Sequence, residues 1–421
     1  MTIVLLYLAL LTLACKDDGT TQPPTPERVK LTLIDVSVKE AFIHIAVSNP
    51  TSNETLSLQR KGTTVMTFAA VADTNITDTA LVQTTTYQYT AGLNADNSVT
   101  GTSNAISAQT LAPTSHNFTW QTFLLGDGNN SALYDVAIIG DSLIYAVGEI
   151  YLGSDPLPYN LVRWNGDSWQ LMRVTVQTRF GLITPPLEGI LAFSPQDIWV
   201  VATDPIHGDG QTWNDYDIRV ILQNDGLTVS KGWGSSSART CFIGRAGNIV
   251  TNVNGVWHRL ESGTTTSILD AWGVVNPVTG KEEVYCAASS FFEPSAEKKI
   301  LRITEQTHVD SLPWINRLVT GVWTHASYPI YTSGDGVFEN RSGHWREIPT
   351  GIYTNDIRGT ALNNIIAVGD FGFMIHYNGI EWQTVASDVE AGYATVRLNG
   401  SLVCAVGRKG ARALVTIGRR N

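Results

Sequence analysis

Residues 355–385 read NDIRGTALNNIIAVGDFGFMIHYNGIEWQTV, and this stretch divides into four short strands. Asn364-Ile365-Ile366-Ala367-Val368-Gly369 is apolar at consecutive positions, as a strand covered on both faces must be. After Tyr377, Asn378-Gly379 marks a tight turn, and Trp382 opens the next strand. Asn-Gly suits a type I′ hairpin turn, whose two central residues both need positive φ. The Trp beyond it offers a large flat surface for packing between neighbouring layers.

A Gly-centred turn followed by Trp recurs at Asn165-Gly166-Asp167-Ser168-Trp169, Asn254-Gly255-Val256-Trp257 and Ser342-Gly343-His344-Trp345. Segments matching 364–369 recur at 143–148, 197–202, 239–244, 283–288, 329–334 and 402–407, which makes seven. Self-similarity at a period of roughly 35 to 45 residues belongs to propellers and solenoids. Third strands are expected at 160–164, 218–223, 248–253, 299–304, 336–340, 373–377 and 411–417. Outer strands are expected to begin at Trp169, Val229, Trp257, His308, Trp345 and Trp382, one short of seven. Phe118-Thr119-Trp120-Gln121-Thr122-Phe123 has the character of the seventh and lies at the other end of the array. Joined to the last unit, it closes a ring and buries edges that an open solenoid would have to cap. The expectation is an all-β chain whose residues 113–421 form a seven-bladed β-propeller closed by an N-terminal clasp strand. The repeats resemble those of secreted bacterial β-propellers with D-I-W-x-V-G and G-x-x-W signatures, a resemblance that implies a fold more than a function.

Residues 29–112 read as seven short strands with period-2 patterning and polar turns, the mark of a β-sandwich. Within them Leu81, a short turn and Tyr87-Gln88-Tyr89 resemble the tyrosine corner of a fibronectin type III module, with Tyr87 at the corner position. The Trp usual in the early strands of that family is missing, and Phe42 or Ile45 is expected in its place. Such Ig-like modules serve as spacers or adhesion units, and no chemistry is visible in this one.

The first residues set the address. Residues 3–14 (IVLLYLALLTLA) form an apolar run too short to span a bilayer but matching the core of an export signal. It ends at Thr12-Leu13-Ala14-Cys15, which resembles a bacterial lipobox, so residues 1–14 are expected to be removed and Cys15 lipidated. Lys16-Asp17-Asp18-Gly19 looks like the export tag of some Bacteroidota surface lipoproteins, and the Pro/Thr-rich remainder of 15–28 reads as an extended tether. The expected location is the cell envelope, as an outer-membrane lipoprotein that reaches either the periplasm or the surface.

Composition agrees with this. Of 421 residues, 43% are hydrophobic and only 16% charged, with 37 Gly, which favours turn-rich β-structure over helices. The net charge of −10, with no Lys/Arg-rich run, argues against a nucleic-acid partner, because phosphate binding needs a positive face. Cys241, Cys286 and Cys404 each sit in an apolar strand pattern and are read as small buried side chains.

In a propeller, second-to-third-strand loops share a face with the links between blades. Insertions at 149–159, 203–217 and 289–298, with the link 175–187, are therefore expected on one rim. Loops on a rigid scaffold carry function. Candidate binding residues are His207, Asp209, Trp213, Asn214, Asp215, Tyr216 and Asp217, with Tyr151 and Tyr159. Aromatics with carboxylates and an amide suit a glycan or a protein contact. His207, Asp209 and Asp217 match neither an EF-hand nor a zinc spacing, so no metal or cofactor is assigned. G-x-S-x-G, H-E-x-x-H and Walker A patterns are absent and no catalytic residue is named. The expected function is a noncatalytic, monomeric, lipid-anchored binding or scaffold protein of the envelope. The alternative is a polysaccharide hydrolase or lyase with its site at the top of the propeller channel.

Overall fold

The computed structural model describes residues 26–421 apart from Asn97 and Ser342. The expected signal segment, Cys15 and the tether up to residue 25 lie outside the described residues.

Eight strands precede the repeats: β1 (Glu27–Val36), β2 (Ala41–Val47), β3 (Thr55–Arg60), β4 (Thr63–Ala69), β5 (Asp73–Asp78), β6 (Thr86–Ala95), β7 (Ser98–Ser103) and β8 (Ile106–Gln109). They run in the order β4-β3-β6-β7-β1-β2-β5, with β8 also on β6 and β7 parallel to β1. Alternate residues Leu31, Ile43, Ile45, Leu56, Leu58, Tyr89 and Leu93 meet in one core. The sequence led us to expect seven strands here. Strands β5 (DTNITD) and β7 (SVTGTS) hold one aliphatic residue each, so they contribute almost no period-2 signal. The Tyr87 hydroxyl accepts the Val82 N–H at 2.9 Å, fixing the corner before β6.

The rest of the chain forms seven four-stranded antiparallel sheets, the blades of a propeller. Blades 1 to 6 span 132–172, 189–215, 231–260, 268–312, 319–348 and 356–386. Blade 7 takes three strands from 391–420 and its outer strand from β9 (Phe118–Leu125), which pairs antiparallel from Ala413↔Leu125 to Arg420↔Phe118. Cys241, Cys286 and Cys404 are fully buried in the second strands of blades 3, 4 and 7.

Blade 2 departs from the sequence-based expectation. Its third strand is Pro205–Gly208 and its outer strand Trp213–Asp215. Residues 218–223 hold a single helical turn, Ile218–Ile221, and Val229 lies in the link to blade 3. Residues 203–217 are thus the blade itself rather than an insertion. The turn before Trp213 reads Gly208-Asp209-Gly210-Gln211-Thr212, a longer version of the Gly-then-Trp pattern, closed by Asp209 accepting from Gln211 N at 2.9 Å and Thr212 N at 2.7 Å. Of the three Asn-Gly turns that precede a Trp, Asn254-Gly255 has the positive φ at both residues that type I′ geometry needs. At Asn165 and Asn378 the Trp comes one residue later, and the Asn side chain instead accepts from the two N–H groups ahead of it (2.8–3.0 Å).

Inner strands are stitched to one another by carboxylates. Asp135, Asp270 and Asp356 each accept a backbone N–H from the next blade: Ile190 at 3.2 Å, Val322 at 2.9 Å and Val396 at 3.0 Å. Two arginines join these three in one chain. Arg358 reaches Asp270 at 2.5 Å and Asp356 at 2.8 Å, and Arg397 reaches Asp356 at 3.2 Å and Asp135 at 3.0 Å. Burial raises the Asp356 carboxyl, but the two guanidiniums outweigh it and hold the group down at about 2.

First-to-second and third-to-outer turns emerge on one face of the propeller, and β1 and β2 pack there. Ile34 and Phe42 share a core with Trp323, Tyr328, Tyr331 and Leu362. His325 Nδ1 lies 2.9 Å from Asp35, and Arg341 pairs with Glu40. Gly379, at φ +94°, approaches Val38 so closely that a Cβ would collide with it. We call this face proximal. The opposite, distal face carries the second-to-third loops and the links between blades.

A pair of histidines, His376 buried and His116 half-buried, holds the connection into β9. Asn364 Oδ1 lies 3.1 Å from His376 Nε2 and accepts its proton, so His376 Nδ1 accepts from His116 Nδ1 at 2.9 Å. Burial, His116 and Arg420 push the His376 imidazole down to about 3 from 6.5. Across that interval the unfolded chain binds a proton that the folded chain refuses, so this group's contribution is full above pH 6.5 and lost as pH falls toward 3. Between pH 7 and 5, chemical denaturation should show a larger loss of stability for the wild type than for His376→Gln. Equal losses would remove this assignment.

Candidate functional site

The distal face carries two adjoining cavities. One, about 560 Å³, lies on the axis, where Tyr134, Glu188, Lys231, Leu269, Thr320, Asn355 and Ala394 converge from the seven blades. The other, about 680 Å³, extends outward over blades 6, 7 and 1 toward Asn129, Tyr151, Asp370 and Arg408. Tyr134, Glu149, Asn355 and Ala394 line both, so the two form one depression. Tyr151 donates its hydroxyl to Glu149 at 2.9 Å. Burial pushes the Glu188 carboxyl up from its ordinary range, and burial with the nearby Glu149 and Glu188 charges raises the Tyr134 phenol.

Large apolar side chains are exposed around this depression, among charged and amide groups such as Asn129, Asp370 and Arg408. All four exposed phenylalanines among the described residues lie in distal connections: Phe180 (77% exposed) in the link from blade 1 to 2, Phe291 (49%) and Phe292 (94%) in blade 4, and Phe371 (67%) in blade 6. Leu157, Leu182, Ile183, Ile315, Ile352 and Val389 are exposed on the same face, whereas the proximal turns expose only Val256, Val275 and Ile380 among large aliphatic side chains.

The link that carries Phe180 is a built element. It folds as a hairpin, Val176–Thr178 against Gly181–Ile183, and buried Asn160 grips both feet. The Asn160 amide donates to Val174 O at 3.0 Å and Pro185 O at 2.8 Å, and its oxygen accepts from Val174 N at 2.7 Å.

The residues named from sequence divide into groups. Tyr151 lines the depression. Tyr159 braces its own loop, donating to Asp155 at 2.8 Å beneath the Arg173 guanidinium, which lies 4.0 Å from its ring. His207 stacks on Trp199 at 4.4 Å and bonds Asp197 at 2.8 Å, while Asp209 closes the proximal turn and Trp213 packs between blades 1 and 2. Asn214 is an exposed strand residue opposite His207. Tyr216 packs between Trp199 and Trp257, 5.3 Å from each. Asp215 and Asp217 do reach the distal rim, where they line a third cavity with Phe180. Among the described residues no group of three or more His, Cys, Asp or Glu side chains is placed to hold a metal ion. Sequence reasoning missed Tyr134, Glu188, Lys231 and the four phenylalanines. The first three lie close to the starts of inner strands, a register readable from Tyr134-Asp135 and Asn355-Asp356, but lone exposed phenylalanines carry no pattern.

Fold and surface together define an all-β, seven-bladed propeller with one decorated face. No family model and no curated protein matches the chain. Solved structures do. YCF48 bound to D1 peptide superimposes with a TM-score of 0.53 at 14% identity, over 73% of this chain and 99% of that one. YCF48 from Cyanidioschyzon merolae gives 0.48 at 14%, over 72% and 98%. The Dos1 propeller gives 0.50 at 10% identity, over 71% and 95%. At such identities the likeness shows the fold alone.

Proposed function

We propose that this protein is a noncatalytic, lipid-anchored binding or scaffold protein of a bacterial cell envelope, and that its distal propeller face docks a protein segment. The observation that carries this reading is the collection of all four exposed phenylalanines on that face. Exposed phenyl rings are suited to apolar side chains of a protein partner, and aromatic residues are enriched at such interfaces, which is why protein is preferred to glycan here. A propeller of the same fold, YCF48, has been solved with a peptide bound, which supports the reading without extending that peptide to this chain.

In this reading Cys15 carries the lipid, 16–28 is the tether, and 29–112 is a fibronectin type III-like spacer. The spacer assignment draws support from the strand order β4-β3-β6-β7-β1-β2-β5 around one core and from the Tyr87 corner bond. β9 acts as the clasp of the ring. With the spacer packed on the proximal face, the distal face points away from the membrane. Capture from solubilised membranes by the full chain, beside a glycan array, tests this. Retention of a protease-sensitive partner with no glycan signal is expected, and a glycan signal alone would contradict it.

One observation favours the second reading, a polysaccharide hydrolase or lyase. Glu149 and Glu188 line the same axial cavity, and Glu188 carries a raised pKa of the kind a general acid needs. New reducing ends from an envelope polysaccharide, abolished by Glu188→Gln, would establish it.

A further inference from the structure

The third distal cavity, about 210 Å³, opens between the Val176–Ile183 hairpin and the outer part of blade 2. Val176, Phe180, Ile183 and Ile206 form its apolar wall, and its acidic side is made by Asp204, Asp215 and Asp217. Two of these carboxylates are already served. Asp204 pairs with Arg219 at 2.6 Å, and Asp217 pairs with Arg219 and Arg179, each at 3.3 Å. The Asp215 side chain is left with no ion pair and no hydrogen bond. Three carboxylates thus share two guanidiniums, and the unmatched charge falls on one group at the side of an apolar slot. Phe180 stands at its entrance, held on a hairpin clamped by Asn160.

We infer that this cavity seats one basic side chain of the docked protein segment, its cation on Asp215 and its aliphatic stem along Val176, Phe180 and Ile183. The chemistry is complementary in both parts, because a lysine or arginine buries a methylene stem while its charged head finds a partner. An acidic or purely aliphatic side chain would leave Asp215 repelled or unmatched. This inference rests on the distal face being a docking surface and names what the partner must present there.

The test uses a positional-scanning library of acetylated, amidated hexapeptides bound to the immobilised full chain. One position should select Lys or Arg over norleucine by about tenfold, the scale of one charge-assisted contact. Asp215→Asn should reduce that selection to less than about twofold, whereas Asp225→Asn, an exposed carboxylate in the link from blade 2 to blade 3, should leave it intact. Peptides retained with no basic preference, or a preference that survives Asp215→Asn, would overturn the inference and leave the docking face standing. A library retained no better than on a surface without protein would overturn the docking face and this inference together. Thermal melting of both variants checks that neither loss reflects unfolding.

Discussion

A chain that starts at residue 126 is expected to lose the cooperative melting that a chain starting at residue 113 retains. The two differ by the thirteen residues that include β9, whose pairing with the last strand completes blade 7. Removing β9 strips Phe118, Trp120 and Leu124 from one inter-blade core and Phe123 and Leu125 from the next. A fully buried side chain of this size is worth about 1.5–3 kcal/mol, and these are half-buried, so together they supply on the order of 5 kcal/mol. That rivals the whole net stability of an ordinary domain, about 5–15 kcal/mol. The loss also bares the edge of Arg412–Arg420, a template for pairing between molecules. Calorimetry on both chains decides the matter. Sharp, coincident transitions would mean that β9 is an ornament.

The second large effect is expected at Asp356→Ala. That carboxylate accepts from Ile357 N, Val396 N and the Thr395 hydroxyl, and it sits between Arg358 and Arg397. Arg358 is 1% exposed. Deleting the carboxylate leaves Arg358 with Asp270 and Arg397 with Asp135, and breaking a buried pair in this way costs about 3–5 kcal/mol. Asp356→Asn keeps an acceptor but removes the charge, so it should fall between wild type and Ala. Equilibrium denaturation gives the values, and a loss below about 1 kcal/mol for Ala would show that the inner strands hold together without this chain of charges.

Much of the architecture was readable from the sequence because a blade repeats its physics. Ile365 to Val368 is buried at every position, and the segments matched to it all became second strands. Blade 2 was misread because its turn, Gly208 to Thr212, has more residues than the Asn-Gly turns, which hid Trp213 and shifted the assignment to 218–223. The same slip yields an apparent insertion in which His207 and Asp209 read as loop residues, whereas one stacks on Trp199 and the other closes a turn. Asp135, Asp270 and Asp356 recur at the same place in three inner strands and were legible in principle. The pairing of Arg358 with Asp270 was not, because it joins residues 88 apart across the ring. The depression at the axis was likewise invisible, since each blade gives it only one or two residues.

Binding is expected to occur through the distal face. The most direct test is the dissociation constant of the captured partner for the full chain and for a variant with Phe180, Phe291, Phe292 and Phe371 all replaced by Ser. Exposed rings can be replaced with little cost to folding, so a matched control with Val256, Val275 and Ile380 replaced by Ser on the proximal face should melt and bind as the wild type does. A loss of about a hundredfold or more in the distal variant alone is predicted, consistent with two or more aromatic anchors of the hot-spot kind. Unchanged affinity in the distal variant, or an equal loss in the proximal one, would contradict the account.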